Sequence, residues 1–188
     1  EKACDIIAQF KGSAQFVGVF EDATLDLINE LAAKLTLDLV QCHGTEPPEY
    51  YSRIRVPVIK AYVLHIASHD NTWSDSPQCK QQQHELFEFV EQFKRSVKYF
   101  LFDRPKKFSQ EEWLPYAVEA LKEANAFLPE YLFAGGLNER NVGKVIEELR
   151  PFGVDVASGV EQSPGVKDHA KIALFCETVR RAQSVGRR

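Results

Sequence analysis

Six short apolar runs, each followed by a polar turn and then an amphipathic stretch, set the tightest limit on how this chain folds. The runs are Phe16 to Phe20, Leu37 to His43, Val56 to Leu64, Val97 to Asp103, Glu130 to Gly135 and Phe152 to Ser158. They are rich in β-branched and aromatic residues, as strands buried on both faces are. Between them, apolar residues recur at helical spacing. Leu25, Ile28, Leu31 and Leu35 share one face; so do Leu86, Phe89, Val90 and Phe93, then Val142, Val145, Ile146 and Leu149, then Ile172, Phe175 and Val179. Thr24 and Asn138 stand where caps belong. Ser109 with Glu112 makes a capping box, with Pro115 read into the first turn. Strands alternating with helices predict an α/β fold with a parallel sheet and right-handed crossovers.

Two architectures satisfy that rhythm: an open doubly wound sheet and a closed (βα)8 TIM barrel. Neither a G-x-G-x-x-G fingerprint nor a P-loop is present, so a dinucleotide site has no support. Glycine signals accumulate instead after the last two runs, in Gly135-Gly136-Leu137-Asn138 and Ser158-Gly159-Val160-Glu161. Barrel enzymes commonly hold phosphate with the loops after strands 7 and 8. The barrel reading therefore numbers the visible strands 3 to 8. The chain holds 188 residues and no methionine, and opens on a polar, helix-like stretch from Glu1 to Lys11. The expectation is one barrel domain over 1–188 whose gene product begins further upstream; a targeting segment there stays open.

Composition removes other classes. With 23 basic and 27 acidic residues, the net charge of −4 gives no general affinity for nucleic acid or an anionic membrane. Cys4, Cys42, Cys79 and Cys176 are scattered without any C-x-x-C, which argues against a disulfide framework or zinc site and for a reducing, cytoplasmic compartment. Cys42, Cys4 and Cys176 read as small core residues. The stretch Ser68 to Gln83 reads as a long polar loop before a helix.

Each candidate site residue has a plain alternative. Gly135 and Gly136 are either a strand-to-helix turn or a phosphate cradle; Ser158 and Gly159 at the same end favour the cradle, with Asn138 opening a helix beside it. Asp103, sharing a face with Tyr99 and Leu101, is a catalytic carboxylate at a strand end or a turn-starting Asp. Asp155, mid-strand between the small Gly153 and Ala157, is ligand-facing or a structural carboxylate that binds loop amides, with the first preferred. Gln41 and His43 share a face, with a structural hydrogen bond preferred for His43 and site lining second. Lys60 is either a buried partner for an acid or a site cation. His65, His69, His84 and His169 read as surface or loop residues.

Three blocks carry a resemblance to the phosphoribosylanthranilate isomerase family. They are Val17-Gly18-Val19-Phe20 with Leu39 to Glu46, then Phe133 to Asn138 with Asn141-Val142, then Gly153 to Glu161 with Gly165-Val166-Lys167-Asp168. The resemblance implies a (βα)8 barrel and the Amadori rearrangement of N-(5-phosphoribosyl)anthranilate in tryptophan biosynthesis, with no metal or organic cofactor. It implies Asp103 as general acid, phosphate held by Gly135, Gly136, Ser158 and Gly159, and Asp155 facing substrate. Two departures stand out. The family's Lys-x-Cys-Gly strand with its basic cysteine has no counterpart here, nor has its early arginine. The Gly-rich loop after the acid is replaced by the short, basic Arg104-Pro105-Lys106-Lys107-Phe108, with a solvated loop preferred and contact of its basic pair with an anionic substrate second. Competing readings are a non-catalytic barrel that kept its phosphate loops, and another phosphosugar barrel such as indole-glycerol-phosphate synthase. Fusion to or association with other tryptophan-pathway enzymes stays open.

Overall fold

The computed structural model describes residues 2–65 and 77–185. In chain order the elements are α1 (Lys2–Phe10), β1 (Val17–Phe20), α2 (Leu25–Lys34), β2 (Leu39–Cys42), α3 (Pro48–Tyr51), β3 (Val58–Val63), α4 (Pro77–Phe93), β4 (Tyr99–Asp103), α5 (Gln110–Ala124), β5 (Tyr131–Phe133), α6 (Val142–Leu149) and β6 (Gly153–Val154). A 3₁₀ turn at Ser158–Val160, a hairpin of β7 (Glu161–Ser163) and β8 (Val166–Lys167), and α7 (His169–Val185) complete the chain. The hairpin escaped sequence reading because its strands are two or three residues long.

The six alternating strands form one sheet in strict sequence order, β1-β2-β3-β4-β5-β6, with parallel register at β1–β2, β2–β3 and β5–β6. A doubly wound sheet reverses its strand order at a switch point; this one does not. No helix among the described residues is long and apolar enough to cross a membrane.

The chain falls into two compact units. The first comprises 1–62 with 89–101, the second 63–88 with 102–188. In the first, Thr24 caps α2 by accepting a hydrogen bond from the Leu27 amide, and Ile28 and Ala32 face inward. Lys60 of β3 is buried there. Its ammonium donates to the Gly44 carbonyl at 2.5 Å and lies 5.3 Å from the centre of the Tyr51 ring. The Tyr51 hydroxyl donates to Glu46 at 2.5 Å. Burial pulls the Lys60 ammonium below its usual range, while the nearby Glu46 carboxylate works in the opposite direction.

In the second unit the Ser109–Glu112 capping box starts α5, with both of its hydrogen bonds formed. Trp113 stacks on Phe133 at 5.5 Å and donates its indole N–H to the Leu64 carbonyl at 2.8 Å. The α6 stripe of Val142, Val145, Ile146 and Leu149 is wholly buried.

Several expectations need correction. Pro77–Gln83 is not loop but the first two turns of α4, because a proline opens that helix readily and Cys79 and Gln82 extend the buried stripe of Leu86, Val90 and Phe93. The rest of the expected loop, with His69, lies outside the described residues. Pro115 sits in the second turn of α5. Ile172 is exposed, whereas Phe175 of the same stripe is buried as expected, together with Ala182. Cys4 and Cys176 are exposed: α1 buries no residue, and Cys176 is one step round the helix from Phe175.

Candidate active site

Asp103 closes β4 behind three fully buried residues, Phe100, Leu101 and Phe102. Its backbone is held on one side by Leu64, whose amide donates to the Asp103 carbonyl at 2.9 Å. Its carboxylate accepts from the Arg104 amide at 2.7 Å. The group is half-buried, so it is fixed in place yet open to a ligand.

The next strand end is built from glycine for steric reasons. Gly135 and Gly136 have φ of +97° and +84°, a region that side chains with Cβ rarely adopt. The turn is then tied by two asparagines. Asn141 donates to the Gly136 carbonyl at 3.2 Å and accepts from the Asn138 amide at 2.9 Å. Asn138 donates to Gln110 of α5 at 3.3 Å. The N-cap of α6 is Asn141, not Asn138. Asn138 accepts from the Arg140 amide and forms a turn ahead of the helix.

The third strand end differs from expectation. β6 stops at Val154, so Asp155 is an exposed strand-end residue and not a mid-strand acid. Its amide still donates to the Phe133 carbonyl at 2.9 Å, after which the chain folds into the Ser158–Val160 turn. Gly159 makes that turn possible. A Cβ there would lie 1.8 Å from the Leu137 carbonyl oxygen, inside any allowed contact.

These three ends line one cleft. Asp103, Gly135, Gly136, Asp155, Ser158 and Gly159 all face it, joined by Arg104, Lys106, Leu137 and Ala157. Its walls at the glycines are bare backbone, which suits a group that hydrogen-bonds to amides, and a strand-end carboxylate stands within the same cavity. The sequence gives Arg104 no role here, and gives Lys106 contact with an anion only as the second reading.

Gln41, His43 and Lys60 belong to the first unit. Gln41 and His43 hydrogen-bond to each other at 2.8 Å through Nε2 of each, as their shared face predicted. The β2–β3 register pairs Cys42 with Lys60. Cys42 is buried, and desolvation aided by the Glu46 charge pushes its thiol up to about 11. A thiol so held stays protonated near neutral pH and is unsuited to be a base. It also links stability to pH. In the unfolded chain the thiol ionises from an ordinary value of 9.0, but in the folded chain only near 11. Between those values the folded state binds more protons, so stability falls as pH rises through that window. Urea denaturation at pH 8 and pH 10.5 should show a loss on the order of 2 kcal/mol that is smaller in Cys42→Ala; an equal loss in both would refute the assignment.

Among the described residues no three His, Cys, Asp or Glu side chains cluster as metal ligands do.

A parallel sheet in sequence order, with a glycine-walled cleft at its strand ends, defines a TIM-barrel-like α/β protein. A sequence profile described as "PRAI: N-(5'phosphoribosyl)anthranilate (PRA) isomerase" matches residues 2–178. The chain belongs to that family. It is 36% identical over 178 residues to the N-(5'-phosphoribosyl)anthranilate isomerase of Geotalea uraniireducens, spanning 93% of this chain and 77% of the relative. To that of Geobacter metallireducens it is 33% identical over 185 residues, 98% and 80% of the two chains. A crystal structure of phosphoribosyl anthranilate isomerase in complex with reduced 1-(o-carboxyphenylamino)-1-deoxyribulose 5-phosphate superposes with a TM-score of 0.69 at 30% identity, covering 95% of this chain and 77% of that one.

Proposed function

We infer that the chain catalyses the Amadori rearrangement of N-(5'-phosphoribosyl)anthranilate to 1-(o-carboxyphenylamino)-1-deoxyribulose 5-phosphate, a step of tryptophan biosynthesis. The observation that carries this is the family match over residues 2–178, joined to a cleft in which a strand-end carboxylate stands with two glycine loops.

In this reading the reaction is internal to the substrate. Asp103 gives a proton to the ribose ring oxygen as the C1–O bond breaks, and the nitrogen lone pair forms the C1=N Schiff base. Loss of the C2 proton to a base gives an enolamine. Its tautomerisation returns a proton to C1 and leaves a ketone at C2, so C1 is reduced as C2 is oxidised and no outside oxidant enters. The phosphate sits against the backbone of Gly135, Gly136, Ser158 and Gly159, where anions gain from undivided N–H donors. Asp155 faces the sugar from the third strand end.

In the same reading the six strands are the third to eighth of a (βα)8 barrel. In support, the chain spans 77–80% of the relatives' lengths. A binding experiment checks the substrate class. Reduced 1-(o-carboxyphenylamino)-1-deoxyribulose 5-phosphate should raise the melting temperature of the protein, and the same compound without its phosphate should not. Equal effects of the two would remove the phosphate site from the reading.

A further inference from the structure

The cleft holds more charge than a backbone cradle needs. Two carboxylates line it, Asp103 and Asp155, and so do two cations, Arg104 and Lys106. Neither glycine loop supplies a cation. With the Asp155 carboxylate alone, a phosphate dianion would meet a charge of its own sign. The two cations more than offset that charge before the ligand arrives.

Their geometry separates them from their neighbours. Arg104 is packed directly against the first glycine loop, since a Cβ on Gly135 would fall 2.7 Å from the Arg104 Cβ. Its Nη1 donates to the Phe108 carbonyl, while its Nε is buried without a hydrogen-bond partner among the described residues. The guanidinium is thus held in place but not fully committed to the protein, and a buried charged donor without an acceptor is costly. Lys106 is exposed and has no ion pair among the described residues. Lys107 does neither: its ammonium lies 5.0 Å from the centre of the Phe108 ring and it is absent from the cleft wall.

Resting on the phosphosugar reading above, we propose that Arg104 and Lys106 form a cationic wall beside the first glycine loop that contacts the substrate's phosphate. The segment that stands where relatives of this fold are expected to have a Gly-rich loop contributes charge in this chain, where amides would otherwise serve. The cavity volume is about 200 Å³, below the range typical of whole-ligand pockets.

The test is titration of inorganic phosphate into the full-length protein at low ionic strength, followed by calorimetry, with Arg104→Met, Lys106→Met and Gly136→Val compared. Each cation substitution should weaken phosphate binding about tenfold and flatten its dependence on salt. For the substrate, KM should rise by a similar factor while kcat stays near wild type. Lys106 is exposed, so Lys106→Met keeps the test valid if Arg104→Met folds poorly. Should both cation variants bind phosphate as wild type does while Gly136→Val does not, the amides alone hold the anion and this proposal falls with the phosphosugar reading intact. If the wild type itself binds no phosphate, the phosphosugar reading falls and takes the cationic wall with it.

Discussion

Asp103→Asn is expected to lower kcat by about 10²–10⁴, the usual worth of a positioned general acid. The substitution removes the acidic proton and little else. The Asp103 backbone stays bonded to Leu64, and an amide oxygen can still accept from the Arg104 N–H as the carboxylate does at 2.7 Å. Fold and phosphate affinity should therefore change little, and the loss should fall on kcat and kcat/KM together, as for a group that acts only as the ring opens. Steady-state kinetics with urea denaturation on the same samples checks both halves. A kcat within twofold of wild type would show that the ring oxygen takes its proton elsewhere.

Gly136→Val should act on KM. Two amide hydrogen bonds to a charged oxygen, at about 1.5–3 kcal/mol each, set the scale, so a rise of about 10²-fold or more is expected. A side chain at φ +84° is strained, and a Cβ there would lie 2.9 Å from Gln110 Cγ, at the turn held by Asn138 and Asn141. Gly159→Ala should do the same by another route. Its Cβ cannot lie 1.8 Å from the Leu137 carbonyl, so the two glycine loops must part. If either variant keeps a wild-type KM, the phosphate lies elsewhere in the cleft.

What could be read from the sequence was whatever repeats along the chain. The alternation of short apolar runs and helical stripes announces a parallel sheet because strands 4–8 residues long and helices twice that length have different periods. The glycine pair and the Ser158-Gly159 turn were legible because only glycine meets a positive φ or a carbonyl at such short range. Hidden features depend on which face a residue presents. Lys60 could not be ranked, since a lysine in an apolar run looks the same whether it faces Tyr51 and Gly44 or a cleft. Asp155 reads as mid-strand because nothing in Val154 to Ala157 signals that β6 ends so soon. Arg104 and Lys106 were hidden by their company: a basic run with proline reads as solvated loop, and the contact of Arg104 with Gly135 joins residues 31 positions apart.

Turnover of N-(5'-phosphoribosyl)anthranilate by the full-length protein is the most direct test of the function, with the product identified by NMR. Formation of 1-(o-carboxyphenylamino)-1-deoxyribulose 5-phosphate by wild type, and its near loss in Asp103→Asn, is the predicted result. A wild type that binds inorganic phosphate but forms no more product than Asp103→Asn would contradict it, and would leave a barrel that kept its anion site without the reaction.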